Sequence, residues 1–351
     1  MDNLGEIGTF YREYGESSFA EDEPLYATIC SGIADRPEML QLLAGHLEEA
    51  RQPNLILAAA HYLLLSGLEH QLADMYAGRN DGDVAAAFAD LVLSNREQID
   101  EILTTRRTQT NEVGRSAVLA VMLRHVGASA DQPLAWIDLG TSGGLNLLLD
   151  RFLINYTLDS GMASTGPSDS RVVIDSNIRA GRPDLTPSLE IAWRVGVDRA
   201  PVQVTDPSQA RWLQACLWPS KVERAHRLAA AIDIAQISPP RIINADAVDG
   251  LEQALALAPA EHTIVMTTTW VWFYLPENTR QRVLAILRAC EQRVHWYSCE
   301  GAGVVVELNE PTGRQYTESS IGLLQIGGGE PERAQLLGRS HPHGSWFTWT
   351  A

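Results

Sequence analysis

Apolar residues recur at three- and four-residue steps through PEMLQLLAGHLEEA (37–50), LILAAAHYLLLSGLEHQLADMYA (55–77) and VAAAFADLVLSNREQIDEIL (84–103). That is the period of helices with one buried face. RQPN (51–54) and GRNDGD (78–83) interrupt the pattern with residues suited to helix ends and turns. Residues 1–103 therefore read as an all-α N-terminal domain.

From residue 104 the pattern changes to short apolar runs alternating with helical stretches: LAWIDLG, LNLLLDRF, LEIAWRVGVD, ARWLQACLW, RIINAD, HTIVMTTTW, RQRVLAILRAC and RVHWYSCE. Such alternation predicts a parallel sheet covered by helices on both faces. The expected second domain, 104–351, is a Rossmann-like, doubly wound α/β sheet. Its tail, IGLLQIGGGEPERAQLLGRSHPHGSWFTWT, suits a closing antiparallel hairpin. An insert at about 155–190, rich in Gly, Ser, Asp and Pro, reads as a loop or lid near Pro167 with one short strand at RVVID.

Charge and cysteine content narrow the partners. The 351 residues carry 27 Lys and Arg against 44 Asp and Glu, a formal net charge of −17. An acidic surface repels phosphate backbones and anionic headgroups, so neither nucleic acid nor a membrane is an expected partner. The acidic N-terminus lacks a basic n-region and an apolar run, which predicts no signal peptide and a cytoplasmic protein. Leu55–Leu68 is too short for a bilayer and is interrupted by His61, so it reads as a buried core helix. Cys30, Cys216, Cys290 and Cys299 form no C-x-x-C pair, and the nine histidines show no H-E-x-x-H spacing. No metal site is expected, and His341 and His343 in SHPHGSW read as a surface turn.

The chemistry is sought where a strand meets a glycine turn. In AWIDLGTSGGLNLLLDRF, Gly140 and Gly144 would remove side chains where a ligand approaches the backbone, and a following helix would offer free N–H groups. Against the dinucleotide pattern G-x-G-x-x-G, positions 142 and 145 are Ser and Leu, which weakens a nicotinamide or flavin enzyme. Two further strands end in acids. Asp198, followed by Arg199, suits a ribose diol, and Asp246, followed by Ala247, suits an exocyclic amine.

With these residues in place, the chain resembles the class I S-adenosylmethionine (SAM)-dependent methyltransferases. More closely, it resembles an uncharacterised bacterial family of that fold, through RQPNLILAAAHYLLL, TRRTQTNEVGRSAVL, DLGTSGGLNLLLDRF, VTDPSQARWLQACLWP and VWFYLP. The resemblance implies a seven-stranded sheet and SAM as cofactor, held by Asp138, Gly140, Thr141, Ser142, Gly144 and Asn146 at the loop. It further implies Asp198 and Arg199 at the ribose, Asp246 and Ala247 at the adenine, and Thr268 near the transferring methyl.

The acceptor pocket draws on two segments. In TRRTQTNEVGRSAVL, expected to be a helix capped by Thr108 or Thr110 with Glu112 in its first turn, Arg107, Gln109, Asn111 and Arg115 are candidates; Arg115 suits a carboxylate. In TTTWVWFYLPENTR they are Thr269, Trp270 and Tyr274, while Trp272 and Phe273 suit the core. The expected function is methyl transfer to a small-molecule acceptor, and no residue announces itself as a general base. Two alternatives stand beside it: a SAM-fold protein that binds without catalysis, and a serine hydrolase using Ser142 in G-x-S-x-G. The hydrolase reading lacks an HGGG-like oxyanion segment upstream.

Overall fold

The computed structural model of the chain describes residues 4–20, 23–130, 132–310 and 318–351. By internal contacts the chain divides into two units, Met1–Thr110 with Asp206–His226, and Asn111–Thr205 with Arg227–Ala351.

The first unit is helical. Proline opens the helices Pro24–Ala34, Pro37–Ala44, Pro53–Leu65 and Pro207–Ala215, where its missing N–H costs no intrahelical bond and its φ is already helical. Asp83 and Asp206 cap the helices that follow them through the N–H groups of Ala86 and Ser208, at 2.9 and 2.8 Å. The central helix Pro53–Leu65 is buried almost all round, with Leu55 to Ala60 at most 2% exposed. His61 accommodates this by bonding the Ala215 carbonyl at 3.1 Å. The helix Pro207–Ala215 joins this core through Trp212 and Ala215, although it lies in the middle of the α/β half of the sequence. Among the described residues no helix is long and apolar enough to cross a membrane.

The second unit is a mixed α/β fold on one sheet. Its strands are β1 (Leu134–Leu139), β2 (Leu153–Leu158), β3 (Gly161–Thr165), β4 (Val173–Ala180), β5 (Ile191–Asp198), β6 (Ile242–Asn244), β7 (Thr263–Thr269), β8 (Arg293–Gly301), β9 (Ser319–Gly327), β10 (Arg333–Ser340) and β11 (Trp346–Thr348). They lie in the order β3-β2-β4-β11-β10-β9-β8-β7-β1-β5-β6. The run β6-β5-β1-β7-β8 is parallel throughout. The antiparallel β9 and β10 then carry the sheet on to β11.

Strand alternation assigns the faces. Ile137 and Leu139 pack with Val248 and Leu251 of the helix Ala247–Leu257 and with Val283 and Leu287 of the helix Glu277–Ala289. Trp136 and Asp138 therefore point to the opposite face. That side is covered by the helix Ser116–Gly127, whose His125 meets the Tyr297 hydroxyl at 2.8 Å.

Three expectations are corrected. The sheet has eleven strands, not seven. The extra ones come largely from the supposed insert, where β2, β3 and β4 pair with one another and β4 runs beside β11. The strand expected at RVVID covers the start of β4; farther along, where only Ser176 and Ile178 are buried, outward polar residues disguise the rest of the strand as a loop. Second, the glycine turn does not lead into an α-helix: Leu145–Arg151 forms 3₁₀ turns interrupted at Leu148. Third, neither Thr108 nor Thr110 caps the helix before β1. That helix begins at Ser116 after a single 3₁₀ turn, and the Glu112 side chain caps the turn by accepting from the Gly114 N–H at 2.9 Å.

Candidate functional site

Parallel strands whose order reverses leave a crevice at their carboxyl ends, where the loops to either side diverge. Here the reversal is at β1, flanked by β5 and β7. The residues that end these strands surround the glycine turn that follows β1.

The turn Gly140–Gly144 is bent by three residues in the left-handed region: Gly140 (φ +79°), Ser142 (φ +56°) and Gly144 (φ +71°). Glycine takes this conformation without a Cβ penalty, whereas serine is strained there. Hydrogen bonds fix the bend. The Gly140 N–H donates to the Val197 carbonyl at 2.8 Å, and the Ser142 N–H donates to Asp198 Oδ2 at 2.8 Å. Asp198 Oδ1 accepts from the Ala200 N–H at 2.9 Å. One half-buried carboxylate thus ties the end of β5 to the turn after β1. Beyond the turn, the Leu145 N–H donates to Asn111 Oδ1 at 3.2 Å, and Asn146 joins the Ser116 hydroxyl to the Glu112 carbonyl. Thr141, Ser142 and Asn146 are all nearly buried.

Asp138 sits under this turn, 3% exposed. Thr267 donates to its Oδ1 at 2.7 Å and in turn accepts from Trp136 Nε1 at 2.8 Å. Burial pushes the Asp138 carboxyl up to about 6; the hydrogen bond from Thr267 and the charge of Arg115 pull the other way, and Asp198 adds to the rise.

On the far side, Trp270 takes φ +58°, and its indole donates to Ser319 Oγ at 2.9 Å. The sharp turn this makes delivers Val271 to the glycine turn: a Cβ on Gly140 would lie 2.4 Å from Val271 Cγ2. Glu300, ending β8 and only 1% exposed, holds that segment by accepting the N–H groups of Val271 and Trp272 at 3.1 and 3.0 Å. Burial raises the Glu300 pKa, opposed by those backbone donors and by Arg115. Gly144 is covered in the same way, by Pro240, whose Cγ would lie 2.6 Å from an added Cβ.

The remaining candidates divide. Arg115 is drawn in: its Nε donates to the Pro342 carbonyl and its Nη1 to the Thr269 carbonyl, and its guanidinium lies 6.0 Å from the Trp270 ring. Thr268 is fully buried and accepts from Trp296 Nε1 at 3.0 Å. Asp246 caps the helix Ala247–Leu257 with Oδ1 alone, taking the N–H groups of Val248 and Asp249. Arg199 and Tyr274 are exposed, Tyr274 by 73%. Arg107 and Gln109 belong to the first unit, where the Arg107 carbonyl accepts from Trp212 and the Gln109 N–H meets the Cys216 sulfur. Trp272 is core, its ring 4.5 Å from that of Trp296.

Sequence reasoning passed over Glu300 and Val271. The rule that picked out Asp138, Asp198 and Asp246, an acid closing a strand, picks out Glu300 as well. Val271 carries no such signal. Among the described residues no group of His, Cys, Asp or Glu is arranged to hold a metal ion.

One family model, described as "Uncharacterized protein conserved in bacteria (DUF2332)", matches residues 9–349. No curated protein and no solved structure matches the chain.

Proposed function

The chain belongs to that bacterial family, whose description names no reaction, and we propose from its own geometry that the second unit binds SAM and serves transfer of its methyl group to a small acceptor. The observation that carries the reading is the bond from the Ser142 N–H to Asp198 Oδ2, by which an acid ending one parallel strand grips the glycine turn of the next. Together with the reversal of strand order at β1, it supports a class I methyltransferase-like reading of the run β6-β5-β1-β7-β8.

The residues fit a nucleoside on one side of the turn. A carboxylate offers about four acceptor positions, and Asp198 spends two of them on Ser142 and Ala200, leaving acceptors for a ribose diol. Asp246 Oδ2 takes no part in its helix cap and suits an adenine amine. On the other side the fit depends on movement, because Val271 rests against Gly140 where the amino-acid end would lie. SAM, when bound, supplies a methyl group activated by its sulfonium. The chain's own part is to orient the nucleoside on Asp198 and Asp246 and to exclude water with Trp270.

The serine-hydrolase reading draws less support. Ser142 has the positive φ of a nucleophile on a tight turn, but it is only 3% exposed, and a nucleophile must meet its substrate.

Titration calorimetry with SAM and with S-adenosylhomocysteine tests the proposal. The wild type is expected to bind one equivalent of each. Asp198→Ala, which removes ribose acceptors and the brace on Ser142, is expected to weaken binding at least about tenfold, the worth of a hydrogen bond to a charged group, with its circular dichroism unchanged. Equal affinity in the variant would remove the ribose assignment.

A further inference from the structure

A cavity of about 230 Å³ lies where the helix Ser116–Gly127 meets β2 and β3. Ala120 and Arg124 line it from the helix, Phe152 and Ile154 from β2 and its approach, Leu149 from the 3₁₀ segment and Leu189 from the approach to β5. Apolar side chains thus face the same space as one cation. The lining shares no residue with the turn Gly140–Gly144.

That cation is enclosed and lacks a counter-ion. Arg124 is 7% exposed. Its Nε donates to the Pro187 carbonyl at 3.1 Å and its Nη1 to the Ala120 carbonyl at 3.2 Å. Ala120 lines the cavity and Pro187 precedes Ser188, which lines it too, so these two bonds hold the guanidinium at the cavity wall. A guanidinium carries five N–H donors, and the carbonyls take one each, which leaves three on Nη1 and Nη2 for a ligand. Nη2 bonds nothing among the described residues, and it is not enclosed by protein on all sides. Burial lowers the Arg124 pKa, and the neighbour that opposes this is Tyr156, not a carboxylate. The acid in the lining, Asp150, is already engaged by Arg194, whose Nη1 and Nη2 meet its two oxygens at 2.7 and 2.8 Å. A charge taken out of water without a partner costs free energy. An anion in the cavity would remove that cost.

We propose that this cavity binds a small carboxylic acid, with its carboxylate on Arg124 and its hydrocarbon part against Leu149, Phe152, Ile154 and Leu189. A carboxylate is planar and singly charged, which matches one guanidinium and its paired N–H groups. Phosphate carries more charge at neutral pH and would leave the apolar walls uncovered. The volume limits the rest of the molecule. A cavity of about 150 Å³ holds benzene, so one of about 230 Å³ accommodates benzoate or a straight-chain acid of about six carbons. The cavity is separate from the turn proposed to hold SAM, so it can fill whether or not that turn does.

Titration calorimetry and ligand-observed NMR with benzoate and hexanoate test this on the full chain. Benzoate is expected to bind with a dissociation constant of about 1 mM or lower, within what about ten heavy atoms supply. Benzyl alcohol, similar in shape but uncharged, is expected to bind the wild type at least about tenfold more weakly, the worth of a hydrogen bond to a charged group. Arg124→Met keeps the apolar stem without the charge and is expected to weaken benzoate binding by the same factor, with Arg124→Lys recovering part of it. The alcohol comparison uses the unaltered protein, so it decides even where Arg124→Met fails to fold. Leu189→Trp, at a half-buried position of the wall, is expected to abolish benzoate binding with Arg124 intact. Equal affinity for benzoate and benzyl alcohol, or benzoate affinity unchanged in Arg124→Met or in Leu189→Trp, would overturn the proposal. So would phosphate binding more tightly than either acid, or no response to benzoate and hexanoate at about 10 mM.

Discussion

Replacing Asp138 by Asn is expected to make the protein more stable at neutral pH. The Asp138 carboxyl is buried between Thr267 and the glycine turn, and burial lifts its pKa from an ordinary 3.8 to about 6. The folded state therefore binds this proton more tightly than the unfolded state. Between pH 3.8 and about 6 it holds more protons, so stability falls as pH rises through that window and levels off above it. At about 1.4 kcal/mol per unit of displacement, a rise of about two units makes the ionised form cost about 3 kcal/mol. Asparagine can keep an oxygen for Thr267 and carries no charge, so the cost disappears at every pH. Urea unfolding followed by circular dichroism at pH 4 and pH 8 measures it. The difference in stability between Asp138→Asn and wild type is expected to shift toward the variant by about 2–3 kcal/mol from the lower pH to the higher. A difference independent of pH would refute the buried-charge argument. A residue that weakens the fold at working pH is an expected feature of a site selected for chemistry.

Thr267→Val leaves the buried Trp136 Nε1 without its acceptor and Asp138 without a donor; unfolding free energy is expected to fall by about 1–3 kcal/mol. Gly140→Ala forces a Cβ to 2.4 Å from Val271 Cγ2 at φ +79°. It is expected to lower stability by about 2 kcal/mol or more. Val271→Ala in the same chain should recover the contact part but not the cost of a positive φ, as thermal unfolding of the single and double variants would register; no recovery would mean that Val271 does not rest there. Val271→Ala alone is expected to tighten S-adenosylhomocysteine binding in calorimetry, since the ligand no longer has to displace the side chain; weaker binding would make Val271 part of the binding wall instead.

Period and punctuation carried the local structure. LAWIDLG followed by a glycine turn announced β1, and the acids closing RVGVD and RIINAD marked the ends of two further strands. Pairing was harder to read. β4 alternates polar and buried residues inside a stretch dominated by Gly, Ser and Pro, and it pairs with β11 from the far end of the chain, a partnership with no local signal. The helix Pro207–Ala215 follows an ordinary cap at Asp206, and only tertiary contacts of Trp212 assign it to the helical unit. At the site, turn residues gave the position of the bend, but its coverings, Val271 over Gly140 and Pro240 over Gly144, come from distant loops.

The central claim is that the turn Gly140–Gly144, tied to Asp198, receives an adenosyl group. A crystal structure of the protein soaked with S-adenosylhomocysteine measures this directly. The account predicts ribose hydroxyls within hydrogen-bond distance of the Asp198 carboxylate, with Val271 displaced from Gly140. Ligand density elsewhere, or a crevice closed by Val271 under saturating ligand, would contradict it.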